Sequence, residues 1–142
     1  MAEIMYCAVA GLLISAQSSF NSRVSEKIGG IETVALAHFV GLIGSIVLLF
    51  ILGRGDFTKL GEVNKTYITG GLLGVIIVLG ITSSVGALGP SLTMGVVVVS
   101  QLLMGLLIEW FGLFGHEKIK FVFTQPLGIA IMVFGLFILK MK

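Results

Sequence analysis

Two carboxamide side chains lie four residues apart in the first hydrophobic segment of this chain. Gln17 and Asn21 share one face of a helix, because residues four apart are neighbours on a helical surface, and Ser18 lies beside them. These groups donate and accept hydrogen bonds without a fixed charge, so they are suited to binding a polar ligand that has no net charge. Gln17 lies about 20 Å along the helix from Ile4, which is within the depth of a bilayer.

This polar face has two open interpretations. A Gln that faced lipid would cost several kcal/mol, so the face is expected to point at protein or at water. In the first case the amides hold helices together, and such groups contribute about 0.6 kcal/mol each on average. In the second case they line a solvated path for a substrate.

A second polar seam follows in the stretch SQLLMGLLIEWFGLFG. Gln101, Gly105 and Glu109 are spaced by four residues and share one helical face. Gln101 lies about 15 Å from Ser91, near the bilayer midplane, and we predict that it lines a cavity with its neighbour Ser100. Glu109 lies about 27 Å along the same helix. It either gates or couples transport, as an acid inside a membrane helix often does, or it is a solvated charge at the helix end.

Other positions have weaker patterns. Histidine changes charge near neutral pH, so His38 is either a coupling residue or a structural hydrogen-bonding group. Gly70 and Gly74 form a GxxxG pattern that permits close helix contact, and Gly105 is a third candidate for helix packing. The sequence contains no metal-ligand cluster, nucleophile–base pair or phosphate-binding loop, so it predicts no enzyme, no metal and no cofactor.

Composition places these segments in a membrane. The chain has 142 residues, of which 56% are hydrophobic and 11% charged, and its mean hydropathy is +1.12. An ordinary soluble domain has about 25% charged residues, and no soluble fold of this length could bury so much apolar surface.

The net charge of +2 without a basic run gives no indication of nucleic-acid binding. The start MAEIMYC lacks the basic region of a cleaved signal peptide, so we expect a retained first helix, and the single Cys7 excludes an internal disulfide.

We predict an all-α integral membrane protein with five transmembrane helices in a single domain. Gly29 and Gly30 end the first helix, because glycine favours the left-handed backbone found at helix C-termini. Pro90 separates the third helix from the fourth. Connections are short, so consecutive helices are expected to be antiparallel. The predicted helices are about 4–23, 33–52, 67–85, 91–114 and 121–139, within 1–142.

With these motifs identified, the chain resembles the half-length, five-helix YdcZ-type branch of the drug/metabolite transporter superfamily over essentially its whole length. The family pattern has Ala-Gln and a later Asn in helix one, Phe-x-Gly in helix two, Gly-Gly-x-x-Gly in helix three, and Gln-Leu with a later acid-x-Phe-Gly in helix four. The residues that match are Ala16, Gln17, Asn21, Phe39, Gly41, Gly70, Gly71, Gly74, Gln101, Leu102, Glu109, Phe111 and Gly112. Ser100 stands where the family often has Gly, and Glu109-Trp110 where it often has Asp-His, so the substrate specificity is expected to differ from that of relatives.

The resemblance implies a small-molecule transporter of the bacterial inner membrane. Full-length relatives have ten helices in two inverted halves, so a five-helix chain is expected to pair with a second chain. Lys and Arg are nearly balanced between the two predicted membrane sides. The balance is typical of a chain that inserts in both orientations, although a small protein is also a weak case for the charge rule. One side carries Arg54, Lys59, Lys65, Lys118 and Lys120, and the other Arg23, Lys27, Lys140 and Lys142.

The sequence therefore favours a secondary transporter that works as a dual-topology antiparallel homodimer. Gln17, Asn21 and Gln101 would contact a polar, neutral or zwitterionic substrate in a central cavity, with Glu109 at each mouth. Three alternatives stay open. A small multidrug or guanidinium exporter normally needs a carboxylate deep in helix one, where this chain has only Glu3 at the very start. The others are a passive channel and a non-transporting membrane subunit. Substrate, transport direction, coupling ion and a heterodimer with a sister chain are likewise open.

Overall fold

The computed structural model describes residues 1–141 and places 86% of the chain in helices. No β-strand occurs among these residues. Helix is the expected form for apolar segments in a bilayer, because it satisfies the interior backbone donors and acceptors within the segment. The chain divides into two compact units, the first spanning Met1–Ala87 and the second beginning at Leu88.

The first unit begins with two long helices joined by one glycine. Helix α1 is Ala2–Ile28 and helix α2 is Gly30–Leu52. Gly29 between them has φ +99°, a conformation that glycine adopts freely and that a residue with a Cβ adopts only with strain. The Thr33 N–H donates to the Gly29 carbonyl at 3.1 Å, so the hydrogen bonding of α2 starts directly after α1 ends, and the two helices pack against each other.

A polar loop follows α2 and contains a short 3₁₀-helix, Phe57–Glu62. Asp56 caps this helix: its Oδ1 accepts a hydrogen bond from the Thr58 hydroxyl at 2.6 Å and another from the Thr58 backbone N–H at 2.9 Å. Both bonds favour the ionised carboxylate, the hydroxyl more than the backbone, and they lower the pKa of Asp56 below its ordinary value. The loop is therefore locally ordered by its own side chains.

Helix α3, Lys65–Ile68, and helix α4, Gly70–Leu88, complete the first unit. Helix α4 approaches the earlier helices at points where one of the two partners is a glycine. A Cβ built on Gly86 would lie 3.4 Å from the Ser22 Oγ of α1, and one built on Gly30 would lie 3.4 Å from Leu79 Cδ1. Small residues at these points let α4 pack closely against α1 and α2.

The second unit pairs helix α5, Pro90–Phe111, with helix α6, Thr124–Lys140. Pro90 takes the first helical position, where its missing N–H removes no helical hydrogen bond. Gly112, with φ +64°, ends α5 in the left-handed conformation. A three-residue 3₁₀-helix, Leu113–Gly115, then begins the connection to α6.

Four helical segments are long and apolar enough to cross a membrane, and a fifth apolar helix is shorter. Helix α6 has 17 residues, which corresponds to a length of about 25 Å against a hydrocarbon core of about 30 Å. The prediction of five membrane spans is therefore not confirmed, and the prediction of a single transmembrane domain stays a prediction. The described residues form six α-helices, because Thr69 separates α3 from α4 near the start of the predicted third helix. The four long segments are Ala2–Ile28, Gly30–Leu52, Lys65–Leu88 and Pro90–Phe111.

Within these units, the buried positions are mostly small. The buried hydroxyl side chains are as little exposed as the buried apolar side chains, and most large apolar side chains lie on exposed helix faces. Small residues at helix contacts and large apolar residues on the outside are typical of membrane helices, so the exposed faces are available to lipid or to another chain. The buried apolar residues are Val34, Val85, Val99 and Ile129, and the buried hydroxyl residues are Ser18, Ser22, Thr33, Thr82 and Thr93.

Candidate functional site

The polar face predicted in the first helix is formed as one continuous surface of α1. Gln17 is exposed, Asn21 is half-buried and Ser18 is buried at 4% exposure. The Ser18 hydroxyl donates to the Ser15 carbonyl at 2.9 Å, so it is held against its own helix. Within residues 1–141 the amides of Gln17 and Asn21 make no hydrogen bond. They are therefore free to bind a partner that the single chain does not supply.

A small, partly open cavity lies between this face and α4. Its volume is about 20 Å³, and Gln17, Ser18 and Asn21 form its polar side on α1. Thr82 lines it from α4; this residue is 1% exposed, and its Oγ1 has no hydrogen-bond partner within residues 1–141. The rest of the lining is apolar and consists of Ile14, Val78 and Ile81.

A second, shallow groove follows the outer surface of α1, and all of its lining residues belong to that helix. Ile14, Gln17 and Asn21 line this groove as well as the small cavity, so the two spaces are adjacent. The groove is otherwise apolar, and the two amides are its main hydrogen-bonding groups. The remaining lining residues are Ala10, Leu13, Ala16 and Phe20.

His38 and the glycine pattern meet at the contact between α2 and α4. The His38 Nδ1 lies 2.9 Å from the Val34 carbonyl; since a carbonyl only accepts, this nitrogen carries the hydrogen. A Cβ built on Gly74 would lie 3.5 Å from the other ring nitrogen, so Gly74 makes room for the imidazole. Gly70 has no atom within 4 Å of such a Cβ. Gly74 thus packs against His38, whereas Gly70 faces open space in the single chain.

The predicted seam of the fourth segment lies on α5 in the second unit. Gln101 and Ser100 are exposed; the Ser100 hydroxyl donates to the Val96 carbonyl at 2.9 Å, and the Gln101 amide makes no hydrogen bond within residues 1–141. A Cβ built on Gly105 would have no neighbour within 4 Å. Ser100 borders an apolar cavity of about 250 Å³ between α5 and α6 that ends at Lys140. The outward face of α5 therefore presents an unpaired amide above a glycine.

Glu109 is exposed at the end of α5, beside a hydrogen-bonded clamp that closes the connection to α6. The Trp110 indole N–H donates to the Gln125 Oε1 at 3.0 Å, and the Val122 N–H donates to the same oxygen at 3.3 Å. The Trp110 and Phe121 rings lie 5.0 Å apart, and the Glu109 carbonyl accepts a hydrogen bond from the Ile119 N–H at 3.1 Å. The clamp fixes the backbone at Glu109 and leaves its carboxylate in the open.

The structure thus brings Gln17, Ser18 and Asn21 together in the first unit and places Ser100, Gln101 and Glu109 on α5 in the second. The roles assigned to these residues stay predictions. Sequence reasoning missed Thr82 and Gln125. Thr82 is a hydroxyl residue within an apolar helix, and that pattern alone does not distinguish a packed side chain from one that lines a cavity. Across residues 1–141 no three His, Cys, Asp or Glu side chains form a group that could hold a metal ion.

The chain matches a protein-family model over almost its whole length. A model of the family described as "Putative inner membrane exporter, YdcZ" matches residues 3–138. The matched range includes both polar faces and the Trp110–Gln125 clamp. No curated protein and no solved structure matches the chain.

Proposed function

Since this chain belongs to the YdcZ family of the drug/metabolite transporter superfamily, a family of membrane transporters and not of enzymes, we propose that it moves a small polar molecule through a path lined by the α1 amides. It is a multi-pass protein of the inner membrane. The family supports transport as the general activity. The substrate class, the binding residues and the assembly are argued below from the residues themselves.

The observation that carries the proposal is the pair of free amides at Gln17 and Asn21. Gln17 is about 22 Å along α1 from its first residue, within bilayer depth, and Asn21 is about 28 Å along, near the far boundary of a core of about 30 Å. An unpaired carboxamide in contact with lipid is costly, so these groups need water, a solute or another chain. The open groove beside them leaves both amides accessible to a solute. A solvated path along α1 accounts for both observations.

The chemistry of the groove favours a solute without net charge. Its lining contains no carboxylate and no basic side chain. Burying an unpaired ion there would be expensive, whereas a hydroxyl, an amide or a zwitterion with internally balanced charge could bond to the two amides. The alternative cation exporter needs an acid deep in the first helix. The only acid in the first half of α1 is Glu3, which is exposed and lies 3.4 Å from the N-terminal amine.

An antiparallel homodimer completes the proposed path. Gln101 and Gly105 lie on an exposed stretch of α5 with an unpaired amide and open space, which suits contact with a second chain or with the solute. The near balance of Lys and Arg on the two predicted sides supports insertion in both orientations. An inverted pair would bring each α1 face into a shared fold with two-fold symmetry. The Glu109 carboxylates would then lie at opposite mouths.

A non-transporting membrane subunit is the second candidate, and one observation favours it. Ser18, Ser22 and Thr33 are small hydroxyl residues buried where helices of the first unit pack, and such residues are typical of contacts between membrane helices. If the free amides of Gln17 and Asn21 bonded to another subunit, no solute would cross. A direct flux measurement separates the two functions.

The experiment is solute uptake into proteoliposomes that contain the purified protein. A panel of radiolabelled amino acids, polyols and amides is compared with a guanidinium and a quaternary ammonium compound. We expect uptake of at least one neutral or zwitterionic solute by the wild type, and its loss in Gln17→Leu. Ser45→Leu is the matched control, because Ser45 is an exposed polar residue of α2 outside both α1 cavities, and it should transport normally. No uptake of any solute by folded wild-type protein would favour the subunit.

A further inference from the structure

The apolar cavity between α5 and α6 is a partly open groove that runs along the two helices. On α5 its lining residues follow one helical face, at Leu92, Val96, Val99 and Ser100, which corresponds to about 12 Å along the helix axis. On α6 the lining ends at Lys140, in the last turn of that helix. The groove, referred to as the Lys140 groove, is therefore apolar along most of its length and has a basic residue at one end.

Two contacts show which end of the helix pair carries this lysine. Trp110, near the end of α5, bonds to Gln125 near the start of α6, and a Cβ built on Gly95 would overlap the side chain of Leu136. Helices α5 and α6 are therefore antiparallel, and Lys140 lies beside the first turn of α5. In a bilayer, a helix of 17 residues is about 25 Å long and ends close to the boundary of a hydrocarbon core of about 30 Å. The Lys140 amine can thus reach the lipid headgroups while its methylene chain stays beside the groove.

The charges and hydrogen bonds around the groove define the ligand that it fits. Lys140 makes no ion pair within residues 1–141, and the first turn of α5 contains no acidic residue. At the other end of the groove, the Ser100 hydroxyl already donates to the Val96 carbonyl, so it does not require a polar ligand. A fitting ligand is therefore apolar along its length and negatively charged at one end.

A second groove on the same helix pair has no such charge. Val96 and Val98 lie on opposite sides of Val99 on the α5 surface, and Val98 lines the second groove in place of Val96. The residues around the second groove are glycine or apolar throughout, and its α6 wall ends at Leu139 instead of Lys140. Both grooves can accept an acyl chain, but of the two the Lys140 groove alone distinguishes lipids by the charge of their headgroup.

We propose that the Lys140 groove binds an anionic phospholipid, with one acyl chain along α5 and α6 and the phosphate paired with Lys140. Basic pockets between membrane helices bind anionic headgroups, and a lysine near the membrane surface attracts anionic lipid. A free phosphate ion would leave the apolar length of the groove unfilled, and an uncharged lipid would leave the lysine unpaired. The bound lipid holds the two helices together at the end opposite the Trp110–Gln125 clamp.

The first test measures lipid retention by native mass spectrometry of the full chain in detergent. Phosphatidylglycerol and phosphatidylcholine with the same acyl chains are added in equal amounts, and the ratio of the two bound forms is recorded. Lys140→Gln should lower this ratio about five-fold, because the phosphate loses its partner. Lys120→Gln is the matched control, since Lys120 is an exposed lysine of the same unit that lines neither groove, and it should keep the wild-type ratio. Equal ratios in the wild type and Lys140→Gln overturn the proposal.

The second test fills one groove at a time. Val96 and Val98 are similarly exposed, at 47% and 43%, and each lines one of the two grooves. Val96→Phe should occupy the Lys140 groove and remove most of the bound phosphatidylglycerol, whereas Val98→Phe should keep the wild-type preference. Equal retention of phosphatidylglycerol by both variants contradicts the proposal. A change from dimer to monomer in Val96→Phe without loss of lipid contradicts it too, because the groove would then hold a second copy of the chain.

A fluorescence measurement locates the lipid. In a Trp110→Phe background, which removes the one native tryptophan, Phe137→Trp places an indole at the Lys140 groove and Phe134→Trp places one on α6 outside both grooves. The two phenylalanines are similarly exposed, at 63% and 66%. Phosphatidylglycerol with brominated acyl chains should quench the indole of Phe137→Trp more strongly, and excess inorganic phosphate should not reverse the quenching.

Equal quenching at the two positions, or its reversal by phosphate, overturns the lipid site. None of these measurements depends on transport, so the proposed function and the lipid site are tested separately.

Discussion

Gln17 on α1 and Thr82 on α4 line one small cavity from two different helices, and Gln17 also lines the open groove on α1. The amide therefore lies at the edge of the contact between α1 and α4, next to the open surface of α1. The amide face of α1 is therefore the main candidate for binding a solute, and α4 packs behind it.

Replacing Glu109 by Gln tests whether its carboxylate couples transport to protons. The carboxylate is exposed, and the clamp fixes the backbone behind it. If protonation of this group is part of the cycle, the rate of solute uptake depends on pH in the wild type, and Glu109→Gln flattens that dependence. The matched control is Glu117→Gln, an exposed acid in the following loop, which should keep the wild-type pH profile. An unchanged profile in Glu109→Gln would identify Glu109 as a solvated charge at a helix end.

The turn after α5 predicts a sharp difference between two glycine substitutions. Gly112 has φ +64°, and a Cβ there would lie 2.7 Å from Lys118 Cγ and 3.1 Å from the His116 carbonyl. Gly112→Ala should therefore lower the free energy of unfolding by about 1–2 kcal/mol or more. Gly80→Ala is the control, because Gly80 is helical with no atom within 4 Å, and alanine should stabilise that helix by about 0.5–1 kcal/mol. The midpoints of thermal unfolding are measured for both variants. Equal shifts would contradict the left-handed backbone conformation of Gly112.

The Trp110–Gln125 clamp is tested by a double-mutant cycle. Trp110→Phe removes the indole donor and keeps an aromatic ring against Phe121, and Gln125→Leu removes the acceptor that Trp110 and Val122 share. Each single variant should lose about 1 kcal/mol of stability, and the double variant should lose less than the sum. Strictly additive losses would show that the two side chains do not interact in the membrane-embedded protein.

Dual topology is tested by labelling a single cysteine in intact cells. Gly55→Cys in a Cys7→Ala background places the thiol in the exposed loop after α2, where a Cβ meets no atom within 4 Å and no helix cap is disturbed. With a membrane-impermeant reagent, about half of the protein should react from outside, and all of it should react after permeabilisation. Two added C-terminal lysines should shift the ratio. Labelling that is complete or absent in intact cells would rule out the antiparallel homodimer.

Much of the fold is predictable because hydropathy and the backbone preferences of glycine and proline act locally. Gly29, proposed as a helix end, adopts φ +99° between α1 and α2, and Pro90 begins α5 as its restricted backbone requires. The helix break at Thr69 is not signalled by the residue itself, because threonine has neither the backbone flexibility of glycine nor the fixed backbone angle of proline. Helix α1 also continues to Ile28, beyond the predicted residue 23, because polar residues at a membrane surface remain helical as long as their backbone is bonded.

The candidate site is less predictable, because it depends on which helices meet. The spacing of Gln17 and Asn21 places them on one face, and the structure agrees. The sequence does not indicate that Thr82 faces them, because nothing local connects α1 with α4. The clamp shows the same limit: Trp110 and Gln125 are 15 positions apart, and only the path of the connection between α5 and α6 joins them.

The central proposal is that the α1 amides of Gln17 and Asn21 act on one transported solute. The most direct measurement is uptake of the solute identified for the wild type by Gln17→Leu, Asn21→Leu and the double variant, each matched for folded protein in the vesicles. Both single variants should lose most of the uptake, and the double variant should be little worse than either one, since side chains that serve one site are not additive. Uptake at the wild-type rate in either single variant, or losses that multiply in the double variant, would contradict the account.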